Sequence, residues 1–104
     1  MSALSIHLER TSDLLAIGLV GELDIATAGR LEQAILEVEG EPRVCLDLSG
    51  LRFIDSTGLR VLLVADAAAR AAGRELTLRR GPERVHRVFD LARLEERLSF
   101  VPRD

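Results

Sequence analysis

The chain has 104 residues, of which 47% are apolar and only 3% aromatic, and its formal charge is −3. That length allows one small domain with an aliphatic core, and the shortage of rings argues against a surface that stacks nucleic-acid bases. All 14 basic residues are Arg: residues 1–69 hold 5 of them against 11 acids, and residues 70–104 hold 9 against 6, interleaved without the continuous basic stripe of a nucleic-acid footprint.

Leu4, Ile6 and Leu8 alternate with Ser5, His7 and Glu9, the pattern of a half-buried strand. Thr11-Ser12-Asp13 is turn chemistry. Leu14 to Val20 is a second strand, more continuously apolar and therefore more central, and Gly21-Glu22-Leu23-Asp24 ends it. Leu31, Ala34, Ile35 and Val38 fall on one helical face, with Thr27 as a cap near the start and Gly40 and Pro42 as the stop. Val44 to Leu48 predicts a short buried strand. A second helix runs from Ser56 to about Ala72, with Gly73 as its terminal signal. Glu75 to Arg79 alternates as a fourth strand. Pro82 suits the first turn of a third helix, whose apolar spacing runs through Val85, Val88 and Phe89 to Leu91, Leu94 and Leu98. Phe100-Val101 supplies a last extended piece. The order ββαβαβα predicts a single α/β domain over 1–104, a mixed sheet of four to five strands packed with helices.

The stretch FIDSTGL, Phe53 to Leu59, stands where the third strand hands over to the second helix. In open α/β sheets functional groups gather on that edge. Ser56 directly precedes the helix and reads as its N-cap, although Leu59 stands where a capping box needs Glu or Gln. Gly58 inside the first turn weakens the helix by about 1 kcal/mol against Ala, so close approach of another group explains it better than helix stability does. A phosphate on Ser56 would meet free N–H groups and the positive end of the helix dipole. Ser56 is therefore either a plain cap or a phosphoacceptor. Asp55 is a recognition charge or turn chemistry, and Thr57 a second acceptor or simply a residue of the first turn. Gly58, Val61, Leu62, Ala65, Ala68, Ala69 and Ala72 share one helix face, the core face. Leu59 and Leu63 lie on its flank with Asp66 and Arg70, either as a docking patch or beneath a neighbouring helix.

Other chemistry finds little support. Cys45, the one cysteine, sits in an apolar run and reads as a buried, inert thiol. His7 and His86 are far apart, so no metal site with familiar ligand spacing is expected, and both read as surface residues. The chain has neither a P-loop, a Rossmann glycine pattern nor a G-x-S-x-G elbow, so it does not read as an enzyme and no cofactor is expected. The start MSALSIHLER alternates and forms no signal-peptide block, and no apolar stretch reaches membrane-spanning length, so a cytoplasmic protein without membrane contact is expected.

The residues LAIGLVGELDIATAGRLEQAI followed by VCLDLSGLRFIDSTGLRVLLVADAAAR resemble the STAS domain of bacterial anti-sigma factor antagonists, and the likeness runs over nearly the whole chain. The resemblance implies a regulatory binding module. Its partner would be an anti-sigma factor with serine kinase activity that phosphorylates Ser56, and a metal-dependent serine phosphatase would reverse the reaction. The unphosphorylated form would bind the anti-sigma factor and release the sigma factor, and phosphorylation would end that binding. The partner-binding positions implied are Asp24, Asp55, Thr57, Gly58, Leu59 and Leu63, with Asp24 contacting the kinase, orienting Ser56 or capping the helix that follows it. No direct contact with nucleic acid is implied. The alternative within the same fold is a scaffold or accessory module without a phospho-switch, in a stress-sensing complex or beside a transporter. Many members carry Gly where this chain has Arg93, so the resemblance leaves the helix end there to be built differently.

Overall fold

Alternation in the first two strands sets one face of the sheet against a core and leaves the other open. The structure is a computed structural model that describes residues 2–101. Strand β1 (Leu4–Arg10) turns back into β2 (Leu15–Leu23), and the two pair antiparallel from Leu4 opposite Gly21 to Arg10 opposite Leu15. Leu15, Ile17, Leu19 and Leu23 point inward from β2, while Ala16 and Gly18 between them are only partly covered. Helix α1 (Ala28–Glu37) leads to β3 (Arg43–Ile54), and helix α2 (Ser56–Ala71) leads to β4 (Glu75–Arg79). Both crossovers join parallel neighbours, so the sheet is mixed, in the order β1-β2-β3-β4. Right-handed crossovers put α1 and α2 on the same face, where they touch. Helix α3 (Glu83–Leu91) packs against β3. Ile17, Leu19, Leu46, Leu48, Leu62, Leu78 and Phe89 are fully buried in one aliphatic cluster.

Four boundaries differ from those the sequence predicts, each for a local reason. Strand β2 continues through Gly21-Glu22-Leu23, because Gly21 takes φ 118° at a register shift and the pairing with β3 then resumes. Strand β3 runs on from Leu48 to Ile54. Ser49-Gly50 is an irregularity inside a continuous strand: a Cβ at Gly50 would stand 2.7 Å from the Leu19 carbonyl oxygen, so glycine lets β2 and β3 approach. Pro82 caps α3 from outside it rather than entering its first turn. Helix α3 stops at Leu91, and Leu94 and Leu98 reach the core from the segment beyond. Phe100 forms only an isolated parallel bridge with Leu78.

His86 is buried, against the expectation of a surface residue. Its Nε2 accepts the Gly81 N–H at 2.8 Å, and its Nδ1 faces the Glu95 carboxylate at 3.3 Å. Its ring lies against Phe89 and Phe100. Both ring nitrogens thus have partners, and the histidine ties the start of α3 to the segment after it.

Candidate functional site

The extension of β3 to Ile54 carries the polar turn to the C-terminal edge of the sheet, next to the loop between β2 and α1. Asp55 joins the two. Its backbone is extended (φ −114°, ψ −175°), as an N-cap requires, and its Oδ1 accepts the Gly58 N–H at 3.0 Å. Its Oδ2 accepts the Ile25 N–H of the neighbouring loop at 3.1 Å. The Asp55 N–H donates to the Leu23 carbonyl at 3.2 Å, and the Asp55 carbonyl accepts the Leu59 N–H at 3.0 Å. The cap of α2 is therefore Asp55, one residue earlier than expected. A carboxylate can hold two N–H groups on two loops at once, and a serine hydroxyl in that place could not reach both.

The shift of the cap changes the position of Ser56. It is the first residue of α2, exposed, with its hydroxyl released from capping. Thr57, half-buried, follows as the second residue of the helix rather than the first. The first N–H groups of a helix have no partner within it, and Asp55 satisfies those of Gly58 and Leu59. Those of Ser56 and Thr57 face the end of the helix beside the Ser56 hydroxyl. Gly58 is buried: a Cβ there would stand 2.7 Å from the Leu23 carbonyl oxygen and 2.9 Å from Ile54 Cγ1. Glycine is required because α2 begins in contact with the backbone of β2.

Asp24, next to Ile25 in the chain, is buried and makes no hydrogen bond to Ser56 among the described residues. Its carboxylate accepts from the Ser2 hydroxyl, from the Ala26 N–H at 3.0 Å and from the Thr27 hydroxyl at 3.3 Å. The Ser2 hydroxyl first, then the Ala26 and Thr27 donors, hold its carboxyl below the usual carboxylate range, against burial, which pushes it up. Asp24 shapes the β2–α1 loop, and that loop reaches the turn through Ile25 and Asp55. Thr27 occupies the expected cap position of α1, yet its hydroxyl turns back to the Glu22 carbonyl at 2.8 Å and does not cap the helix.

On α2 the buried face is Gly58, Leu59, Val61, Leu62, Ala65, Asp66 and Ala69. It is rotated from the expected face: Ala68 and Ala72 are exposed, Leu59 lies in the core, and Leu63 is half-buried against it. Leu59 therefore has no surface to offer, and the patch is not the leucine pair. The exposed apolar residues beside Ser56 are Ile25 (79% exposed) and Phe53 (49%). Composition gives no sign of either, though Phe53 stands next to inward-facing Ile54, where strand alternation points outward. Among the described residues no group of three His, Cys, Asp or Glu is placed to hold a metal ion, and no helix is long and apolar enough to cross a membrane.

Comparison with known proteins gives this geometry a context. The family model described as Mlab, STAS domain, matches residues 6–102. The chain is 31% identical over 90 residues to the anti-sigma-B factor antagonist of Listeria monocytogenes, covering 85% of this chain and 79% of that one. The chain belongs to the STAS-domain anti-sigma factor antagonist family. Among solved structures, an anti-sigma factor antagonist from Mycobacterium paratuberculosis superposes with a TM-score of 0.81 at 25% identity, over 97% of this chain and 87% of that one. The Bacillus cell fate determinant SpoIIAA in its phosphorylated form has the same fold, with a TM-score of 0.70 at 22% identity over 94% and 92% of the two chains. As in these STAS-domain relatives, the fold is a mixed four-stranded sheet with three helices.

Proposed function

We propose that this protein binds an anti-sigma factor through the surface around Ser56, and that phosphorylation of Ser56 by that partner ends the binding. The observation that carries the reading is the Asp55 clamp. Because Asp55 does the capping, Ser56 has a free, exposed hydroxyl at the positive end of α2, in a turn held on both sides. A phosphate there adds about −1.5 to −2 charges without breaking any bond of the clamp. The added charge falls next to Asp55, whose carboxylate holds the loop of exposed Ile25, and three residues along the chain from exposed Phe53. An apolar contact on that patch would then have to desolvate a dianion, and a well-packed interface does not survive that. The antagonist relatives supply the class of partner, and the partner's ATP and kinase chemistry would supply the phosphate. A phosphatase would return the chain to its binding form.

Calorimetric titration of the cognate anti-sigma factor with Ser56→Ala and Ser56→Asp tests this. Ser56→Ala should bind like the unmodified chain and stay bound when ATP is added. Ser56→Asp should bind at least about tenfold more weakly, equal to about 1.4 kcal/mol. Equal affinities for the two variants would overturn the switch. One fact supports a second reading, an accessory module without a phospho-switch: the same fold, at a TM-score of 0.72 and 18% identity, makes up 17% of the murine anion transporter Slc26a9. Phosphosite mapping on protein from its own host separates the two, since an accessory module would leave Ser56 unmodified under every growth condition.

A further inference from the structure

The charge asymmetry of the chain has no part in the switch, and neither do two apolar features that do not include Ser56. The first is a groove of about 180 Å³ between α1 and α2, walled by Leu36, Val61, Val64 and Ala68. Leu36 and Val64 are 59% and 57% exposed, so the groove opens to solvent. Its size is below the roughly 300 Å³ at which small-molecule sites begin and close to the ~150 Å³ that encloses one benzene ring. It therefore fits one large apolar side chain rather than a cofactor. Glu32 and Glu39 border it, and Arg74 lies at its edge.

The second feature is Leu91, the last residue of α3 and 86% exposed. Arg87 lies one turn before it and Arg84 two turns before, on the same helix face. Arg93 follows at φ 57°, a conformation in which glycine rests without strain and arginine does not. Asp90 is the acid next to this knob in the chain, and Glu83 shares a shallow pocket with Arg87 and Asp90. Among the described residues, none of Glu32, Glu39, Arg74, Arg84, Arg87 and Arg93 forms an ion pair.

We propose that the chain associates head to tail with copies of itself, Leu91 of one copy seating in the α1–α2 groove of the next. The knob is apolar with a basic surround, and the groove is apolar with an acidic rim. The minority charges also match, Asp90 on the knob against Arg74 at the groove. Knob and groove are different surfaces, so the contact is heterologous, and each copy keeps one unused end for a further copy. Ser56 stays outside the contact.

Sedimentation velocity on the full chain, from about 10 µM to about 1 mM, covers the range of weak association. The expected result is a mass that rises with concentration from the 11.4 kDa monomer and falls back as salt is added. Leu91→Asp should be monomeric, and so should Glu32→Arg combined with Glu39→Arg. These residues are exposed, so both variants should retain the wild-type circular dichroism spectrum. The decisive sample is the equimolar mixture of the two variants: one retains an intact groove and the other an intact knob, so they should form a one-to-one dimer and grow no further. A wild-type chain that stays monomeric throughout overturns the proposal. So does association that survives in either variant, or a mixture that remains monomeric.

Discussion

Asp55, Ser56 and Gly58 divide among them tasks that a simpler turn would leave to one residue. Asp55 binds both loops, Gly58 lets the helix start against β2, and Ser56 is left with an unused hydroxyl. The least replaceable of the three for folding is Gly58. Gly58→Ala would improve intrinsic helix propensity by about 1 kcal/mol. The added methyl, however, would stand 2.7 Å from a backbone oxygen that belongs to a central strand and cannot move aside. The clash should win, with a net loss of about 1–3 kcal/mol in urea denaturation. An unchanged or higher midpoint would show that α2 shifts freely and that the close approach is not required.

The ends of the helices show a device that recurs. Helix α2 finishes with Gly73 at φ 70°, the Arg74 N–H donating to the Ala69 carbonyl at 2.8 Å and the Gly73 N–H to Arg70 at 3.1 Å. Helix α3 finishes in the same way: Arg93 at φ 57°, the Leu94 N–H to Phe89 at 2.9 Å and the Arg93 N–H to Asp90 at 3.0 Å. Both are Schellman motifs, so the helix end at Arg93 is built in the usual way with an unusual residue. Arg93→Gly should raise stability by about 0.5–1 kcal/mol, read as a higher thermal midpoint; a lower midpoint would mean that the arginine side chain contributes more than its backbone costs. Gly73 was legible as a stop because glycine announces a left-handed residue. Arg93 was not, because nothing in its chemistry does. The same asymmetry accounts for β3. Val44 to Leu48 is a nearly continuous apolar run and was readable, but its continuation past Ser49-Gly50 shows only once β2 is seen lying against it. The site was partly legible in the same sense. D-S-T-G at a strand-to-helix junction marked Ser56 and Gly58, whereas the identity of the cap, the burial of Leu59 and the exposure of Ile25 depend on how the β2–α1 loop meets the turn.

The whole molecule is organised about two interior strands. β2 and β3 each have a strand on both sides, while β1 and β4 lie at the edges. Amide hydrogen exchange should therefore be slowest at Ile17, Leu19 and Leu46 and open at higher free energy there than in β1 or β4. Uniform protection across all four strands would indicate a single cooperative unit with no weaker rim. Charge is organised differently, running along the chain: acids predominate through the first two helices and arginines after them. Asp66 with Arg70 and Asp47 with Arg79 form ion pairs across that divide, while among the described residues Glu32, Glu39, Arg84 and Arg87 form none.

The Asp55 clamp would also limit how far a message written on Ser56 could travel. A modification that broke no bond and moved no element would have only its electric field with which to be read. At physiological ionic strength that field fades over about 8 Å. Along the axis of α2, at 1.5 Å per residue, the groove runs from about 7.5 Å from Ser56 at Val61 to about 18 Å at Ala68. A molecule touching Ile25 and Phe53 would register the phosphate at once, and one seated at the Ala68 end of the groove would sense it far less. The two ends of α2 would then work as separate channels, one gated and one always open, carried by a helix of 16 residues.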